Sequence, residues 1–328
     1  MLLLKKKEAC DSAFMKWQGS VVFWKEFLVK KKRRIIAALI VLALSAGIYY
    51  YIEHAAFLPE HDWIDAREAD SFSLEEISEY SGEPYTVVHD NVPYFTAEDL
   101  TAESYERYSE LDALGRCGVA QACIGLDLMP VEERGGIGQI KPSGWQTAAY
   151  DFIDGRYLYN RCHLIAFALA GENANEANLI TGTRYLNVQG MLPFETAVMD
   201  YVRSSGYHVL YRVTPIFKEE ELLARGVLLE AYSVEDDGES VQFCVYCYNV
   251  QPGVWIDYMT GENCLDEEYF SSNFSPEEDY VLNSKTRKFH FPDCSGVETM
   301  REENRQNFHG SRELLLAQGY EPCGTCCP

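Results

Sequence analysis

Two sets of side chains in this sequence have the types and spacing to do chemistry. The first is Asn160-Arg161-Cys162-His163, followed by Asn178, Asn187 and Glu195. Imidazole, with an ordinary pKa near ~6.5, suits proton abstraction at neutral pH. A neutral carboxamide oxygen is a hard ligand of the kind Mg2+ accepts. An ion held by few protein donors keeps positions open for water and phosphate oxygens. Taken singly, each asparagine reads as a turn or cap residue and the histidine as a core histidine. Taken together, they read as one site.

The second set is His290, Cys294, Cys323 and Cys326, in the pattern H-x3-C-x28-C-x2-C. Two close ligand pairs separated by a structured insert build tetrahedral Zn2+ sites, with thiolates at about 2.3 Å and imidazole nitrogen at about 2.0 Å. Disulfides are the competing use of these cysteines. The stretch 280–328 is too short to fold on an apolar core alone and needs a staple of this kind.

The elements that must position these groups are partly legible. PFETAVMDYVRSSG has proline at a first helical position, an apolar stripe of Phe194, Val198, Tyr201 and Val202, and Gly206 to close the helix. HVLYRVTPIF and VQFCVYCYNV read as strands, so Cys244 and Cys247, three apart, face opposite sides of a sheet. YTVVHDNVPYF reads as two extended runs about an Asp90-Asn91 turn, and SRELLLAQGY as a helix from Ser311 to Gly319. TAEDLTAESYERYSELDALGR, an N-cap candidate followed by helix formers, predicts a helix ending before Gly118. Cys117 and Cys123 are open to pairing or to remaining thiols.

Charge divides the chain end to end. Residues 1–34 hold ten Lys or Arg against three acids, a net of +7, which leaves −30 of the whole-chain −23 for the remainder. Between them lies IIAALIVLALSAGIYYYI, Ile35 to Ile52, eighteen residues without a charge. At about 1.5 Å per helical residue it just spans a bilayer core of about 30 Å. The excess of basic residues before it predicts a cytoplasmic N-terminus and an external remainder. A cleaved signal peptide is disfavoured by the long basic segment ahead of it. The expected organisation is a basic segment 1–34, a transmembrane helix 35–52, an acidic stalk 53–84, a catalytic domain 85–260, an acidic linker 261–279 and a zinc-binding domain 280–328. At 47% apolar residues the chain can bury a core.

Asn160-Arg161-Cys162-His163 with Asn178, Asn187 and Glu195 resembles the Asp-Arg-Gly-His signature and Asn/Asn/Glu series of the DNA/RNA non-specific endonucleases, including their membrane-anchored bacterial members. The likeness extends through LDALGRCGVAQACIGLDLMP, PSGW, NLITGTRYLNVQGMLPFE and HVLYRVTPIF, roughly Tyr85 to Asp257. It implies an α+β fold, a ββα-metal nuclease core on a mixed or antiparallel sheet. It further implies His163 as general base, Asn187 as the Mg2+ ligand, Glu195 holding a metal-bound water, and Asn178 orienting the site or the scissile phosphate. Arg161 either offsets transition-state charge or packs behind the hairpin; packing is the favoured role. The tail resembles the zinc domain of the Ada DNA-repair protein, through GYEPCGTC and with His290 where a first cysteine would stand.

Two departures bear on activity: Asn160 replaces the signature's aspartate and Cys162 its glycine. If that aspartate orients the histidine, Asn160 accepts the same bond without the charge. The expected function is therefore a Mg2+-dependent endonuclease acting on DNA, with RNA left open, outside the cytoplasmic membrane. A catalytically weakened nucleic-acid-binding or DNA-uptake component is the second reading, and a protein-interaction domain the third. The net acidity argues against a broadly basic binding face. Arg134, Lys141, Arg184, Arg203 and Arg212 are the candidates for a local basic patch, and the balanced tail for a nucleic-acid tether.

Overall fold

The computed structural model describes Phe72 and residues 74–273 and 277–326. In chain order the larger part contains β1 (Tyr85–Val87), β2 (Tyr105–Tyr108), β3 (Ala120–Ile124), β4 (Tyr159–His163), α1 (Phe167–Ala170), β5 (Leu179–Thr183), α2 (Leu192–Ser205), β6 (Val209–Ile216), β7 (Gly226–Ser233) and β8 (Gln242–Tyr248). Six strands form an antiparallel sheet in the order β1-β8-β7-β6-β3-β2.

Period-two alternation builds the core. Val209, Tyr211 and Val213 of β6 and Val227, Leu229 and Ala231 of β7 face one side, where they meet Val198 and Val202 of α2 and Cys162, Leu164 and Ile180 of the β4–β5 region. Burying each of the two helix valines is worth about 1.5–3 kcal/mol. Leu210, Cys123 and Tyr232 point the other way and are covered by Phe95 and its neighbours. Cys247 lies in the first layer and Cys244 in the second, as strand alternation requires. On the second face Glu230, 1% exposed, takes both Nε and a terminal nitrogen of Arg212 at 2.7 and 2.8 Å. It also accepts the Tyr94 N–H at 2.7 Å, so the buried charge is both paired and hydrogen-bonded.

A separate hairpin positions the candidate chemistry. β4 and β5 pair antiparallel with Asn160 opposite Gly182 and His163 opposite Leu179. The buried carboxamide of Asn249 locks the hairpin to the main sheet: it accepts the Thr183 N–H at 2.8 Å and donates to the carbonyls of Thr181 and Ala224. The chain then makes a π-turn over Leu186–Met191, in which the Leu192 N–H donates to the Asn187 carbonyl, and runs into α2. Pro193 sits in the first turn of α2 and Gly206 closes it at φ 74°, where a side chain would be strained.

The smaller part follows through β9 (Val254–Ile256), β10 (Asn263–Leu265), α3 (Glu267–Asn273), β11 (Glu278–Asn283), β12 (Lys288–His290), α4 (Ser295–Glu298), β13 (Arg305–Gly310), α5 (Arg312–Ala317) and β14 (Glu321–Pro322). Its sheet runs β13-β11-β12-β14, with β14 parallel to β12. Ser311 caps α5 by accepting the Leu314 N–H at 3.2 Å.

Several expectations are corrected. Residues 105–108 form an edge strand against β3 rather than part of a helix. The stretch expected as a linker, 261–279, holds β10 and α3; Phe270 is buried against Leu314 and Ala317 and meets the Phe152 ring edge-on at 5.6 Å. Cys117 and Cys123 are buried thiols, each bonded to a backbone carbonyl. The expected transmembrane helix, 35–52, lies outside the described residues. Among the described residues no helix is long and apolar enough to cross a membrane, the longest being the 14 residues of α2 where about 20 are needed. Over the described residues the fold class is corrected to α+β with no spanning helix among them, and the single-pass location with an external catalytic domain is withdrawn.

Candidate active site

The hairpin, the π-turn and the start of α2 enclose a cleft of about 920 Å3 lined by Asn160, Arg161, His163, Asn187 and Glu195, with Arg134, Asp154, Tyr157 and Arg184. Three arginines and two acids are the only Arg, Lys, Asp or Glu residues on that lining. An acidic chain thus presents a locally basic cleft, and charge balance over the whole sequence could not have revealed it.

His163 ends β4 and is 7% exposed. Its Nδ1 lies 3.1 Å from a terminal nitrogen of Arg134 and its Nε2 lies 2.9 Å from the Asn173 carbonyl oxygen. A guanidinium only donates and a carbonyl only accepts, so the partners fix the tautomer: Nε2 carries the proton and Nδ1 the lone pair. Burial lowers the imidazole pKa below its ordinary value; the Asn173 carbonyl opposes that shift and the Arg134 charge adds to it. The ring is therefore neutral at pH 7, with its basic nitrogen turned to the Arg134 guanidinium.

Asn187 sits in the π-turn, a backbone irregularity that often marks functional positions. Its Oδ1 accepts from the Cys162 thiol at 3.2 Å and its Nδ2 donates to Asn160 Oδ1 at 3.4 Å. Asn160 thus meets Asn187, while the His163 ring is held by Asn173 and Arg134. The loss of an aspartate at position 160 leaves the histidine's own contacts intact.

Glu195 lies half-buried in the first turn of α2. Burial pushes its carboxyl up to about 8, against the pull of Arg134. Among the described residues no hydrogen bond or salt bridge holds that carboxylate. A carboxylate without a partner beside a carboxamide oxygen is a hard-oxygen donor set that a small divalent cation fits.

Asn178 and Arg161 are both tied to backbone groups. Asn178 is fully buried and off the cleft lining; its Oδ1 accepts the Ile165 N–H at 2.8 Å and its Nδ2 donates to the Ile165 carbonyl at 3.0 Å. Both ends of its amide hold the chain just after His163. Arg161 donates to the carbonyls of Ile140 and Gly138 and lies 4.0 Å over the Trp145 ring, the packing role expected of it. Of the five basic-patch candidates, Arg134 and Arg184 line the cleft. Arg184 pairs with Asp154 at 2.8 Å, Arg212 is held by Glu230, and Lys141 and Arg203 are exposed elsewhere. Arg134, in an irregular loop 29 residues before His163, carried no local signal of its contact with the base.

In the smaller part, the ligand atoms of His290, Cys294, Cys323 and Cys326 all lie within 4.8 Å of one another. His290 Nδ1 is 3.5 Å from Cys294 Sγ, and the Gly296 N–H points at that sulfur from 3.4 Å. A Cβ on Gly296 would lie 3.1 Å from the imidazole, so the turn packs closely against the ring. The Thr325 N–H, followed by other donors, pulls the Cys323 thiol down to about 7. Converging soft donors with a thiol near neutrality fit a Zn2+ ion.

A hairpin strand thus ends in a histidine, with an asparagine and a glutamate on the following helical segment across one cleft. Residues 96–235 match the model of the DNA/RNA non-specific endonuclease family. A deoxyribonuclease of Streptococcus dysgalactiae subsp. equisimilis is 34% identical over 110 residues, 32% of each chain. The chain thus spans about a third of the length of that curated relative. The metal-free crystal structure of NucA from Streptococcus agalactiae superposes with a TM-score of 0.51 at 25% identity, over 61% of this chain and 95% of that one. A structure of NucA with a magnesium ion bound gives 0.49 at 26% identity, over 57% and 91%.

Proposed function

We propose that this protein is a Mg2+-dependent, sequence-nonspecific endonuclease that hydrolyses DNA, with RNA as the second substrate to assay. The observation that carries the reading is the single cleft shared by His163, Asn187 and Glu195, with arginines on its wall. In this reading Nδ1 of His163 takes a proton from the attacking water, and the Asn173 carbonyl steadies the imidazolium through Nε2–H. Arg134 leaves Nδ1 when substrate arrives and turns its guanidinium to a phosphate oxygen, a partner it fits better than a neutral nitrogen. Asn187 would hold the ion through its carboxamide oxygen, and Glu195 would hold water at the same site. Asn178 keeps the turn after His163 in place. Bound there, Mg2+ supplies Lewis-acid polarisation of the phosphate and charge for the leaving oxygen.

The tail holds structural Zn2+ through His290, Cys294, Cys323 and Cys326. The buried contacts of Phe270 with Leu314, Ala317 and Phe152 support a bracing role, since Phe152 neighbours the cleft-lining residues Asp154, Gly155 and Tyr157.

The test is cleavage of supercoiled plasmid and of a folded RNA by the full chain, with Mg2+ omitted and then restored. Nicking that appears only with the metal is expected; a retarded but uncut plasmid would favour the weakened-binder reading instead.

A further inference from the structure

The two positions that depart from the family signature both end on one side chain. Asn160 Oδ1 accepts from Nδ2 of Asn187 at 3.4 Å, and the Cys162 thiol donates to Oδ1 of the same carboxamide at 3.2 Å. Residues 160 and 162, two apart on β4, share a face of the strand. The thiol is 1% exposed, with Met191 Sδ at 3.5 Å and the His163 carbonyl oxygen at 3.9 Å as further, longer contacts. It has room because Gly182 stands behind it: a Cβ there would lie 2.7 Å from Cys162 Cβ and 3.3 Å from its sulfur.

A carboxamide that turns end for end presents an NH2 group, a donor, where a cation needs an oxygen. Turned that way, Asn187 would set an N–H against sulfur, a poor acceptor, and would keep its bond to Asn160 only if that carboxamide turned as well. We propose that Asn160 and Cys162 are paired positioning residues that grip the two ends of the Asn187 carboxamide and present its oxygen to the divalent cation. This rests on the nuclease reading above. The oxygen has two lone pairs, so a thiol on one leaves the other for the ion.

The experiment compares the full-length wild type with Cys162→Ala, Cys162→Ser, Asn160→Ala and the Asn160→Ala/Cys162→Ala double variant. Mn2+ binding is measured by calorimetry without nucleic acid, alongside the Mg2+ concentration giving half-maximal plasmid cleavage. Cys162→Ala weakens Mn2+ binding roughly tenfold, as loss of an outer contact to a metal ligand does, while Cys162→Ser, which keeps a donor, stays within about twofold of wild type. The double variant loses less than the product of the single losses, because both residues act on one carboxamide. Alanine at 162 binding Mn2+ as tightly as wild type, or serine as weakly as alanine, overturns the proposal. Should the position-162 variants fail to fold, Asn160→Ala carries the test alone: unchanged Mn2+ binding there overturns it. A wild-type chain that binds Mn2+ but cuts nothing sinks the nuclease reading and leaves the clamp standing; a chain that binds no Mn2+ sinks both.

Discussion

Nδ1 of His163 lies 3.1 Å from the guanidinium of Arg134, so the nitrogen able to take a proton is covered by a side chain that can only donate. The contact has two consequences, one for pH dependence and one for phosphate binding. Burial and the Arg134 charge both lower the imidazole pKa. The neutral, active form therefore persists as pH falls, and the acid limb of kcat/KM lies below the ordinary imidazole value near ~6.5. Removing the guanidinium removes part of that depression, so Arg134→Ala moves the limb to higher pH while Arg134→Lys, which keeps the charge, moves it less. The pH profiles of the three proteins at saturating Mg2+ check this, and a limb that moves downward in the alanine variant would refute it.

Asn178 and Asn187 look alike in sequence and differ in consequence. Asn178→Ala leaves the N–H and carbonyl of Ile165 buried without partners, which costs about 2–4 kcal/mol. It also loosens the turn that follows His163, so stability and activity fall together. Asn187→Ala keeps the fold within about 1 kcal/mol of wild type, yet cleavage drops by about a hundredfold or more because the ion loses its carboxamide oxygen. Chemical denaturation beside a plasmid assay separates the two. Equal stability losses at both positions would contradict these assignments.

The ion pair of Glu230 with Arg212 lies on the face of the main sheet away from the hairpin. Glu230→Ala leaves Arg212 unpaired in a largely buried place and strips the Tyr94 N–H of its acceptor, a loss of about 3–5 kcal/mol. Substrate turnover per folded molecule is unchanged, because neither residue lines the cleft. Denaturant midpoints and specific activity below the transition provide the check.

Zn2+ removal is expected to act at a distance. Chelation, or Cys294→Ser, releases one equivalent of zinc by mass spectrometry and exposes 277–326 to protease, since four converging ligands reinforce the small apolar core of Tyr280, Leu282, Phe289, Leu315 and Tyr320. Through Phe270 and Phe152 the loosening reaches the rim of the cleft, and KM for DNA rises more than kcat falls. A zinc-free chain with unchanged protease resistance would remove the metal from the account.

Much of this was legible in the sequence where a local rule and the tertiary structure agree. Pro193 and Gly206 bracket a helix because one suits a first turn and the other a left-handed closing residue. Val209, Tyr211 and Val213 alternate as a half-buried strand should. That His163 and Asn187 share one cleft was legible through the motif and its spacing, and the convergence of His290, Cys294, Cys323 and Cys326 through their register. Elsewhere, contacts between distant segments decide. Residues 105–108 include helix formers, but Tyr105 and Arg107 pair with β3 and the sheet edge outweighs propensity. The contacts of Arg134 with His163 and of Asn249 with β5 join positions 29 and 66 residues apart, for which no window of sequence holds a signal. Asn178, named from the motif as an orienting residue, sits beneath the site rather than in it, a distinction that burial alone reveals.

The central claim is that one buried imidazole performs the proton transfer. Its most direct measurement is the single-turnover cleavage rate of a short duplex by the full chain and by His163→Ala, at saturating Mg2+, with calorimetric Mn2+ binding confirming that the variant still loads its ion. The account predicts unchanged ion binding and a rate lower by at least about a hundredfold, in line with the loss of a general base. A His163→Ala protein that cuts at the wild-type rate would contradict it.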